Sequence, residues 1–503
     1  MSLARRMIEP EFTHDTIAEW LSGHSAGKTA IIADDGRSWT YGELNTWSQR
    51  LSGYLSDELV MGRGDRIAYL GPNDATMIAL LFACARIGAI LVPMNWRLTA
   101  AELSWIIKDV EPHALVYDDE FAETALEAAR GEQTLIALNT LRGYRGEPAP
   151  QAGQLDDPLL IVYTSGTTGR PKGAVLDQRA LYVNALSSVH MHTLTADDTT
   201  LVVLPLFHVG GLNISLTPTL YAGATVILHR RFEPQKTLDT VENDRPDILV
   251  MVPATMTAIM ALPGWKGADL SSLRMVTTGS MIVPPALIGE WEDRGISIVC
   301  VYGSTETCPI AGYTKPGDGR TKPHSTGHAA LHSEIRIDAA PGEEGEIQVR
   351  GGNVMSHYWR NEEETEAAYV DGWFRTGDIG YLDADGHLIV CDRIKNMIIS
   401  GGENIYPAEV EQVISSVDGV EECCVVGLPH EKWGETPAAA IVLSQNFSEN
   451  GVRAKIEDVL ERELARFKHP RIIEFTNPLP RNAMGKVVSE EVRKRVDKGA
   501  KSR

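Results

Sequence analysis

The stretch Tyr163-Thr-Ser-Gly-Thr-Thr-Gly-Arg-Pro-Lys-Gly173 places four hydroxyl residues besides the tyrosine, three glycines and one lysine within eleven positions. Glycines let backbone N–H groups turn inward around an anion, hydroxyls add donors, and Lys172 adds a positive charge. These residue types predict a loop that binds a polyphosphate. A Walker loop would continue from its lysine into a helix, whereas the apolar run 173–176 predicts a strand. We therefore expect the loop to join two strands and Lys172 to move with it.

On both sides of this loop, short apolar runs alternate with helical periodicity. Thr40 and Glu43 form a capping-box pattern at the start of a helix. A predicted strand at Arg66–Leu70, a helix at Ala75–Ile87 and a strand at Ala89–Pro93 follow the logic of a parallel sheet. Further predicted strands are Leu159–Tyr163, Thr200–Leu204, Thr225–Leu228, Ile248–Val252 and Ile296–Val301. The pattern predicts an α/β fold.

The character of the sequence changes after about residue 325, where short strands with Gly and Asp turns dominate, as in Gly345–Arg350 and His387–Cys391. We predict a large N-terminal domain over 1–394 that includes a β-rich subdomain over 326–394. A small α+β domain is predicted over 395–503, with the segment Asp392–Lys395 as the hinge.

Composition limits the class of protein. A chain of 503 residues is too long for one compact core, and 43% apolar with 23% charged residues is ordinary for a soluble protein. The net charge of −21 argues against non-specific nucleic-acid binding. The six scattered cysteines predict reduced thiols, and the absence of an apolar run of 18 residues or a signal peptide predicts a cytoplasmic protein without integral membrane contact. The sequence leaves open whether the protein forms a homodimer.

Seven motifs follow one another over more than 320 residues, and together they resemble the acyl-adenylate-forming enzymes, which include acyl-CoA synthetases, amino-acid adenylation domains and beetle luciferases. The motifs are 163–173, Leu206–Gly211, Thr278–Ser280 with Tyr302–Glu306, Thr376–Asp378, Asp392–Lys395, Ser400–Pro407 and Pro480–Lys486. The resemblance implies an ATP-dependent acid–thiol ligase. A carboxylate attacks the α-phosphate of ATP, and the acyl group of the resulting acyl-adenylate passes to coenzyme A (CoA).

The resemblance also implies roles for individual residues. Glu306 would hold Mg²⁺, for which one carboxylate plus phosphate oxygens suffices. Lys486, on a flexible stem, would bridge the substrate carboxylate and the α-phosphate. Asp378 would accept hydrogen bonds from the ribose hydroxyls, and Arg393 would add a ribose or phosphate contact. The other nucleotide-binding candidates are Thr164, Ser165, Gly166, Thr167, Thr168, Gly169 and Lys172 in the loop, Gly279, Ser280, Tyr302 and Gly303 around adenine, and Ser304 and Thr305 near phosphate. Lys172 and Thr305 are also expected to take part in catalysis.

A second set of candidates concerns the acid and CoA. The resemblance implies that Lys395 is the hinge pivot and that Ser400, Gly401, Gly402 and Glu403 form a wall of the CoA tunnel. The candidates for the acyl pocket and its gate are His208, Val209, Gly210, Gly211, Met251, Thr278, Met281 and Ile310. Arg230 and Arg231 are candidates for the CoA phosphates, or else residues of a solvated turn.

The acid itself is the least determined part. The pocket candidates include neither Arg nor Lys, which argues against a dicarboxylate. A medium- or long-chain fatty acid is the first interpretation, and a hydroxycinnamate or other aryl acid is the alternative. An amino-acid adenylation domain is disfavoured because the segment after Phe207 lacks an acidic residue to pair with an α-ammonium group. A non-catalytic nucleotide-binding protein is disfavoured because Lys172, Glu306 and Lys486 are all present.

Overall fold

The computed structural model describes residues 10–131, 133–164, 171–281, 283–400, 403–430, 433–476, 478–481 and 486–501. The helices of these residues are α1 (Tyr41–Gly53), α2 (Ala75–Ile87), α3 (Ala100–Val110), α4 (Ala122–Ala129), α5 (Leu138–Gly143), α6 (Gln178–His192), α7 (Thr217–Tyr221), α8 (Pro234–Asp244), α9 (Pro253–Met260), α10 (Pro285–Glu292), α11 (Asp318–Thr321), α12 (Glu362–Ala367), α13 (Pro407–Ser415), α14 (Glu449–Glu463) and α15 (Ser489–Lys501).

The strands are β1 (Thr29–Ala33), β2 (Ser38–Thr40), β3 (Arg66–Leu70), β4 (Ile90–Met94), β5 (Ala114–Tyr117), β6 (Thr134–Ala137), β7 (Pro158–Thr164), β8 (Lys172–Asp177), β9 (Thr199–Val202), β10 (Thr225–Leu228), β11 (Ile248–Val250), β12 (Met275–Gly279), β13 (Ser297–Tyr302), β14 (Gly312–Tyr313), β15 (His328–Ala329), β16 (Ser333–Asp338), β17 (Gly345–Gly351), β18 (His357–Tyr358), β19 (Tyr369–Val370), β20 (Trp373–Leu382), β21 (Leu388–Arg393), β22 (Ile398–Ser400), β23 (Glu403–Ile405), β24 (Val420–His430), β25 (Gly434–Leu443) and β26 (Ile472–Phe475).

The chain divides into two compact units. The first comprises Met1–Arg336, Gln348–Thr376 and Gly386–Leu388, and the second comprises Ile337–Ile347, Gly377–Asp385 and Ile389–Arg503. The α/β fold class, with a large N-terminal and a small C-terminal part, is confirmed. The predicted domain limits, 1–394 and 395–503, stay a prediction.

Two sheets form the framework of the first unit. One has the strand order β15-β14-β13-β12-β11-β9-β10-β1-β2, and the other has the order β18-β8-β7-β4-β3-β5-β6. The pairs β3–β4, β3–β5 and β12–β13 are parallel, as the strand–helix–strand pattern predicts. Since the carboxyl ends of parallel strands lie at one edge, the segments after β12 and β13 emerge side by side.

Helix α2 shows how the sequence determines these elements. Its predicted bounds are confirmed. The helix begins where it does because Asp74 caps the N-terminus by accepting a hydrogen bond from the Thr76 N–H at 2.8 Å. At the other end Gly88 takes a left-handed φ of 74°. Almost every side chain between these caps is buried in the largest hydrophobic core. A helix that is apolar all round is buried on all sides.

Strands β7 and β8 flank the glycine-rich loop. They pair antiparallel, with Thr164 opposite Lys172. The predicted strand-to-strand connection is therefore confirmed, while Ser165, Gly166, Thr167, Thr168 and Gly169 lie outside the described residues.

The second unit has its own sheet and core. Its sheet has the order β23-β22-β25-β24, with β26 also paired to β25. Residues of α13, α14 and these strands, such as Val410, Ile441 and Ile456, form the core. A separate sheet, within residues 333–393 and not confined to the second unit, has the order β16-β17-β20-β19, with β21 beside β20. Within the described ranges, no helix has the length and apolar character needed to span a bilayer.

Candidate functional site

Lys172 is the first residue of β8, and its ammonium group forms an ion pair. Nζ lies 2.5 Å from Oε2 of Glu364 on α12, and the lysine side chain is only 12% exposed. Nζ also lies 5.3 Å from the centre of the Tyr358 ring, within the range of a cation–π contact. We expected Lys172 to move with the loop. In the structure it belongs to the strand and is held by two neighbours.

The start of the loop is anchored through Tyr163. Its hydroxyl donates to Oδ2 of Asp109 at 2.5 Å, and its ring packs edge-on against Trp105 of α3. Burial raises the pKa of Tyr163, so this hydroxyl stays protonated. Gly173 on the facing strand leaves room for this strand, because an added Cβ would lie 2.7 Å from Cγ2 of Ile161 and 3.2 Å from Cζ of Tyr163. Both ends of the loop are therefore fixed by the first unit.

Glu306 follows β13, in the short 3₁₀ turn Thr305–Thr307. The Tyr358 hydroxyl donates to Oε1 of Glu306 at 2.9 Å, and burial together with the Glu306 charge raises the pKa of Tyr358. Within the described part of the chain, Oε2 of Glu306 makes no hydrogen bond. No cluster of three acidic, His or Cys side chains suited to a metal occurs among the described residues. A lone half-buried carboxylate with one open oxygen fits Mg²⁺, which keeps phosphate oxygens as its other ligands.

The segments after β12 and β13 have the form expected of an adenine and phosphate site. A Cβ on Gly279 would lie 2.4 Å from the Val301 carbonyl oxygen, and one on Gly303 would lie 1.7 Å from that of Pro309. Only glycine therefore allows these backbone segments to approach so closely. Ser280 takes a left-handed φ of 73°, a conformation that clusters at functional sites.

Two buried hydroxyl oxygens in this region, Oγ1 of Thr278 and Oγ of Ser304, have no hydrogen-bond partner in the described part of the chain. Such orphaned polar atoms are rare in native proteins, and a bound ligand is one way to satisfy them. Tyr302 and Thr305 are buried beside them. The residues after β12 and β13 therefore fit ATP.

The second unit brings together several predicted residues. Nε of Arg393 lies 3.0 Å from Oδ1 of the buried Asp378. Desolvation of its ammonium group lowers the pKa of Lys486, although the residue as a whole is exposed, and the positive charges of Arg393 and Lys395 lower it further. The resemblance linked Lys486 to the hinge residue Lys395 through domain rotation, and that link stays a prediction.

The predicted tunnel residues are only partly described. Ser400 ends β22 and lies opposite Glu403 in β23, in an antiparallel pair. Gly401 and Gly402 lie outside the described residues.

His208 precedes a π-helical segment, Gly210–Leu216. Burial lowers the pKa of His208 to about 4, with a contribution from the nearby charge of Arg97. The imidazole is therefore neutral at pH 7 and adds no charge to the predicted acyl pocket. A Cβ on Gly211 would lie 2.5 Å from the Pro205 carbonyl oxygen, whereas one on Gly210 would meet only ordinary contacts.

The other pocket candidates differ in their surroundings. Val209, Met251, Thr278 and Ile310 are buried, whereas the Met281 side chain is 61% exposed. Buried apolar groups of this kind suit an uncharged acyl body, while Met281 has room to contact a ligand directly.

Arg97 is a feature that the sequence analysis missed. Its guanidinium lies 4.8 Å from the Trp96 ring centre and 5.6 Å from that of Phe207. It pairs with no carboxylate among the described residues, and burial together with the charge of Arg231 lowers its pKa. Arg97 as a whole is exposed, so its guanidinium is accessible to an anionic ligand from solvent. The sequence did not indicate that Arg97 binds a ligand, because an Arg beside a Trp is common on protein surfaces.

Arg230 and Arg231, by contrast, are already paired. Arg230 donates to both carboxylate oxygens of Asp118, at 2.8 and 3.1 Å, and Arg231 donates to Glu120 at 2.6 Å. Their charges hold the pKa of Glu120 below its ordinary value. These ion pairs within the first unit leave them less suited to bind phosphate than Arg97.

Comparison with known proteins places these features in context. Residues 17–359 match the model of a family described as AMP-binding enzyme, and residues 409–486 match that of the AMP-binding enzyme C-terminal domain. The chain is 44% identical to the indoleacetate–CoA ligase of Aromatoleum aromaticum, over 95% of this chain and 98% of the relative. It is 40% identical to a feruloyl-CoA synthase of an Amycolatopsis species, over 92% and 95%.

More distant matches include a fatty-acid enzyme. The long-chain-fatty-acid–CoA ligase FadD13 of Mycobacterium tuberculosis is 34% identical, over 90% of this chain and 92% of the relative. Among solved structures, the o-succinylbenzoate CoA synthetase of Bacillus subtilis in complex with its acyl-adenylate superposes with a TM-score of 0.87. That match has 31% identity and covers 95% of this chain and 98% of the other.

Proposed function

Because this chain belongs to the AMP-binding enzyme family and is an acid–CoA ligase that uses ATP, Mg²⁺ and CoA, we propose that its acid substrate is an aryl or heteroaryl acid. The observation that carries the proposal is the higher identity to ligases named for indoleacetate and ferulate, 44% and 40%, than to one named for long-chain fatty acids, 34%. The fatty-acid interpretation of the sequence is thus less supported than its alternative. The three relatives described above are CoA ligases, so neither an amino-acid adenylation domain nor a non-catalytic protein is retained.

The charge of the pocket candidates supports an acid whose carboxylate is its sole charge. The low pKa of about 4 keeps His208 neutral, and Met251 and Ile310 are apolar and buried. None of the pocket candidates themselves carries a positive charge to pair with a second carboxylate. A flat aromatic body also loses little conformational entropy on binding, in contrast with a long alkyl chain.

In the proposed reaction the chain mainly positions groups and neutralises charge, as expected for attack of a carboxylate on the α-phosphate. Lys172 donates to the terminal phosphates of ATP, and Gly279, Ser280 and Gly303 shape the adenine site. Glu306 and Thr305 act at the phosphates. Mg²⁺, when held by Glu306, neutralises phosphate charge.

The residues of the second unit have complementary proposed roles. Asp378 and Arg393 bind the ribose, and Lys486 stabilises the charge shared by the carboxylate and the α-phosphate. Lys395 is the proposed hinge pivot, and Ser400 and Glu403 belong to the proposed CoA tunnel. We place the reaction in the cytoplasm, in keeping with six cysteines that are all free.

Acid-dependent release of pyrophosphate tests the substrate proposal. The purified chain is given ATP, Mg²⁺ and CoA with a panel of indoleacetate, phenylacetate, ferulate and benzoate, and with straight-chain acids from C6 to C16. We expect kcat/KM for the best aryl acid to exceed that for the best fatty acid by at least about tenfold, which equals ~1.4 kcal/mol of transition-state binding. If a fatty acid gave the highest kcat/KM of the panel, the aryl-acid proposal would be overturned and the fatty-acid interpretation restored.

Arg97 provides a separate prediction about CoA. We propose that its unpaired guanidinium binds a phosphate of CoA, so Arg97→Ala should raise KM for CoA about five- to fiftyfold. Adenylate formation without CoA should stay within about twofold, because no role at ATP is assigned to Arg97. Arg245→Ala is the control, since Arg245 forms an exposed ion pair with Asp269. Equal KM values for CoA in the wild type and Arg97→Ala would contradict the assignment.

A further inference from the structure

Glu364 holds the ammonium group of Lys172 in the structure, although nothing in the established reaction requires it. Its Oε2 lies 2.5 Å from Nζ of Lys172, and the two side chains are 32% and 12% exposed. We propose that Glu364 is a positioning residue that serves as an exchangeable counter-ion: it neutralises Lys172 in the free enzyme and is displaced by the terminal phosphates of ATP. This inference rests on the proposed role of Lys172.

The position of Glu364 is fixed by backbone contacts, so its pairing with Lys172 is built into the fold. Asn361 caps the N-terminus of helix α12, and its Oδ1 accepts a hydrogen bond from the Glu364 N–H at 3.2 Å. The Thr365 hydroxyl of the same helix accepts from the Tyr358 N–H at 3.0 Å. Tyr358 in turn lies in β18, which pairs with β8 at Ala174, two residues beyond Lys172. Glu364 therefore reaches Lys172 from a segment attached to the same sheet.

Tyr358 connects this ion pair with the proposed Mg²⁺ carboxylate. Its ring faces Nζ of Lys172 at 5.3 Å, and its hydroxyl donates to Glu306 at 2.9 Å. Lys172 and Glu306 thus share Tyr358 as a neighbour, so the ammonium group and the proposed Mg²⁺ carboxylate lie in the same region of the first unit. Glu362 and Glu363 of the same helix are exposed, and neither forms an ion pair within the described part of the chain. Among the three consecutive glutamates, Glu364 alone contacts Lys172.

The charges of Lys172, Glu364 and ATP determine whether Glu364 strengthens or weakens ATP binding. A single carboxylate balances a single ammonium, so small anions gain little by competing for Lys172. The triphosphate of ATP carries several charges and can displace the carboxylate, which then lies close to the phosphates and repels them. Glu364 should therefore weaken ATP binding, and it should leave AMP binding unchanged, because AMP lacks the terminal phosphates.

Equilibrium binding to the full chain, without acid or CoA, tests this inference. Isothermal titration with ATP and Mg²⁺ should show Kd three- to tenfold lower, roughly, for Glu364→Gln than for wild type. Kd for AMP should not change. Glu363→Gln is the matched control, since it removes the same charge from the same helix without contacting Lys172. Glu364→Asp should return Kd for ATP toward the wild-type value.

A double-mutant cycle separates this role from a general field effect. On a Lys172→Ala background, Glu364→Gln should no longer strengthen ATP binding, because the ammonium group through which it acts is gone. An unchanged or higher Kd for ATP in Glu364→Gln would overturn the counter-ion assignment. An equal fall in Kd for AMP would overturn it as well. Thermal unfolding of each variant checks that it is folded. The titration does not involve the acid, so failure of the aryl-acid proposal would leave this result intact.

Discussion

Lys486→Ala should lower the rate of acyl-adenylate formation at least ~100-fold, the scale of removing one preorganised charge from a transition state. Transfer of the acyl group from supplied acyl-adenylate to CoA should stay within about threefold of wild type. In the first step negative charge concentrates between the carboxylate and the α-phosphate, where an ammonium group stabilises it. In the second step that phosphate leaves as part of AMP, and the proposal gives Lys486 no role there.

The surroundings of Lys486 predict how the adenylation rate depends on pH. Desolvation of the ammonium group and the charges of Arg393 and Lys395 lower its pKa from the ordinary lysine value. The ammonium form is the active one, and a lowered pKa means that it is lost at a lower pH than for an ordinary lysine. Adenylation should therefore decline at alkaline pH before a solvated lysine would deprotonate. Transfer from supplied acyl-adenylate should lack this decline, and Lys486→Ala should remove it from residual adenylation.

The control is Lys494→Ala, which removes a 71% exposed lysine of α15. Pyrophosphate release and formation of the acyl-CoA thioester are measured separately for each variant. An equal loss in both half-reactions of Lys486→Ala would contradict the division of roles between the two steps.

Local patterns in the sequence were sufficient for much of the fold. The bounds of Arg66–Leu70 and Ala75–Ile87 agree with β3 and α2, since caps and continuous apolar runs are encoded by neighbours in the chain. Bounds shifted by a residue or two elsewhere: the strand predicted at Ala89–Pro93 is Ile90–Met94. Strand ends depend on pairing with other strands, which a local pattern does not contain.

The candidate site was less predictable for a similar reason. Motifs gave Lys172 and Glu306 but not their partners. The Lys172–Glu364 contact spans 192 positions and the Tyr358–Glu306 contact spans 52. Neither Tyr358 nor Glu364 has a pattern that indicates a role, because both belong to ordinary polar segments. Arg97 was missed, and Arg230 and Arg231 were left between CoA binding and a solvated turn, because charge alone does not reveal which arginines already have a carboxylate partner.

Glu306→Gln is expected to have the other large effect, a fall in kcat for adenylation of at least ~100-fold, because a carboxamide is a much weaker ligand for Mg²⁺ than a carboxylate. The substitution keeps the shape of the side chain and an oxygen that can accept from Tyr358. Loss of activity would therefore report the missing charge and not a rearranged turn. Transfer from supplied acyl-adenylate requires no triphosphate and should change little.

Tyr358→Phe separates the charge of Glu306 from its orientation. That variant removes the 2.9 Å hydrogen bond to Oε1 and keeps the carboxylate, so adenylation should fall only a few-fold, in line with ~1 kcal/mol for a single hydrogen bond. Titration of the rate with Mg²⁺ provides the decisive comparison. Glu306→Gln should need a higher Mg²⁺ concentration for half-maximal adenylation, whereas Tyr358→Phe should need nearly the wild-type concentration. Equal Mg²⁺ requirements in Glu306→Gln and wild type would show that Glu306 acts on the triphosphate in some way other than through the metal.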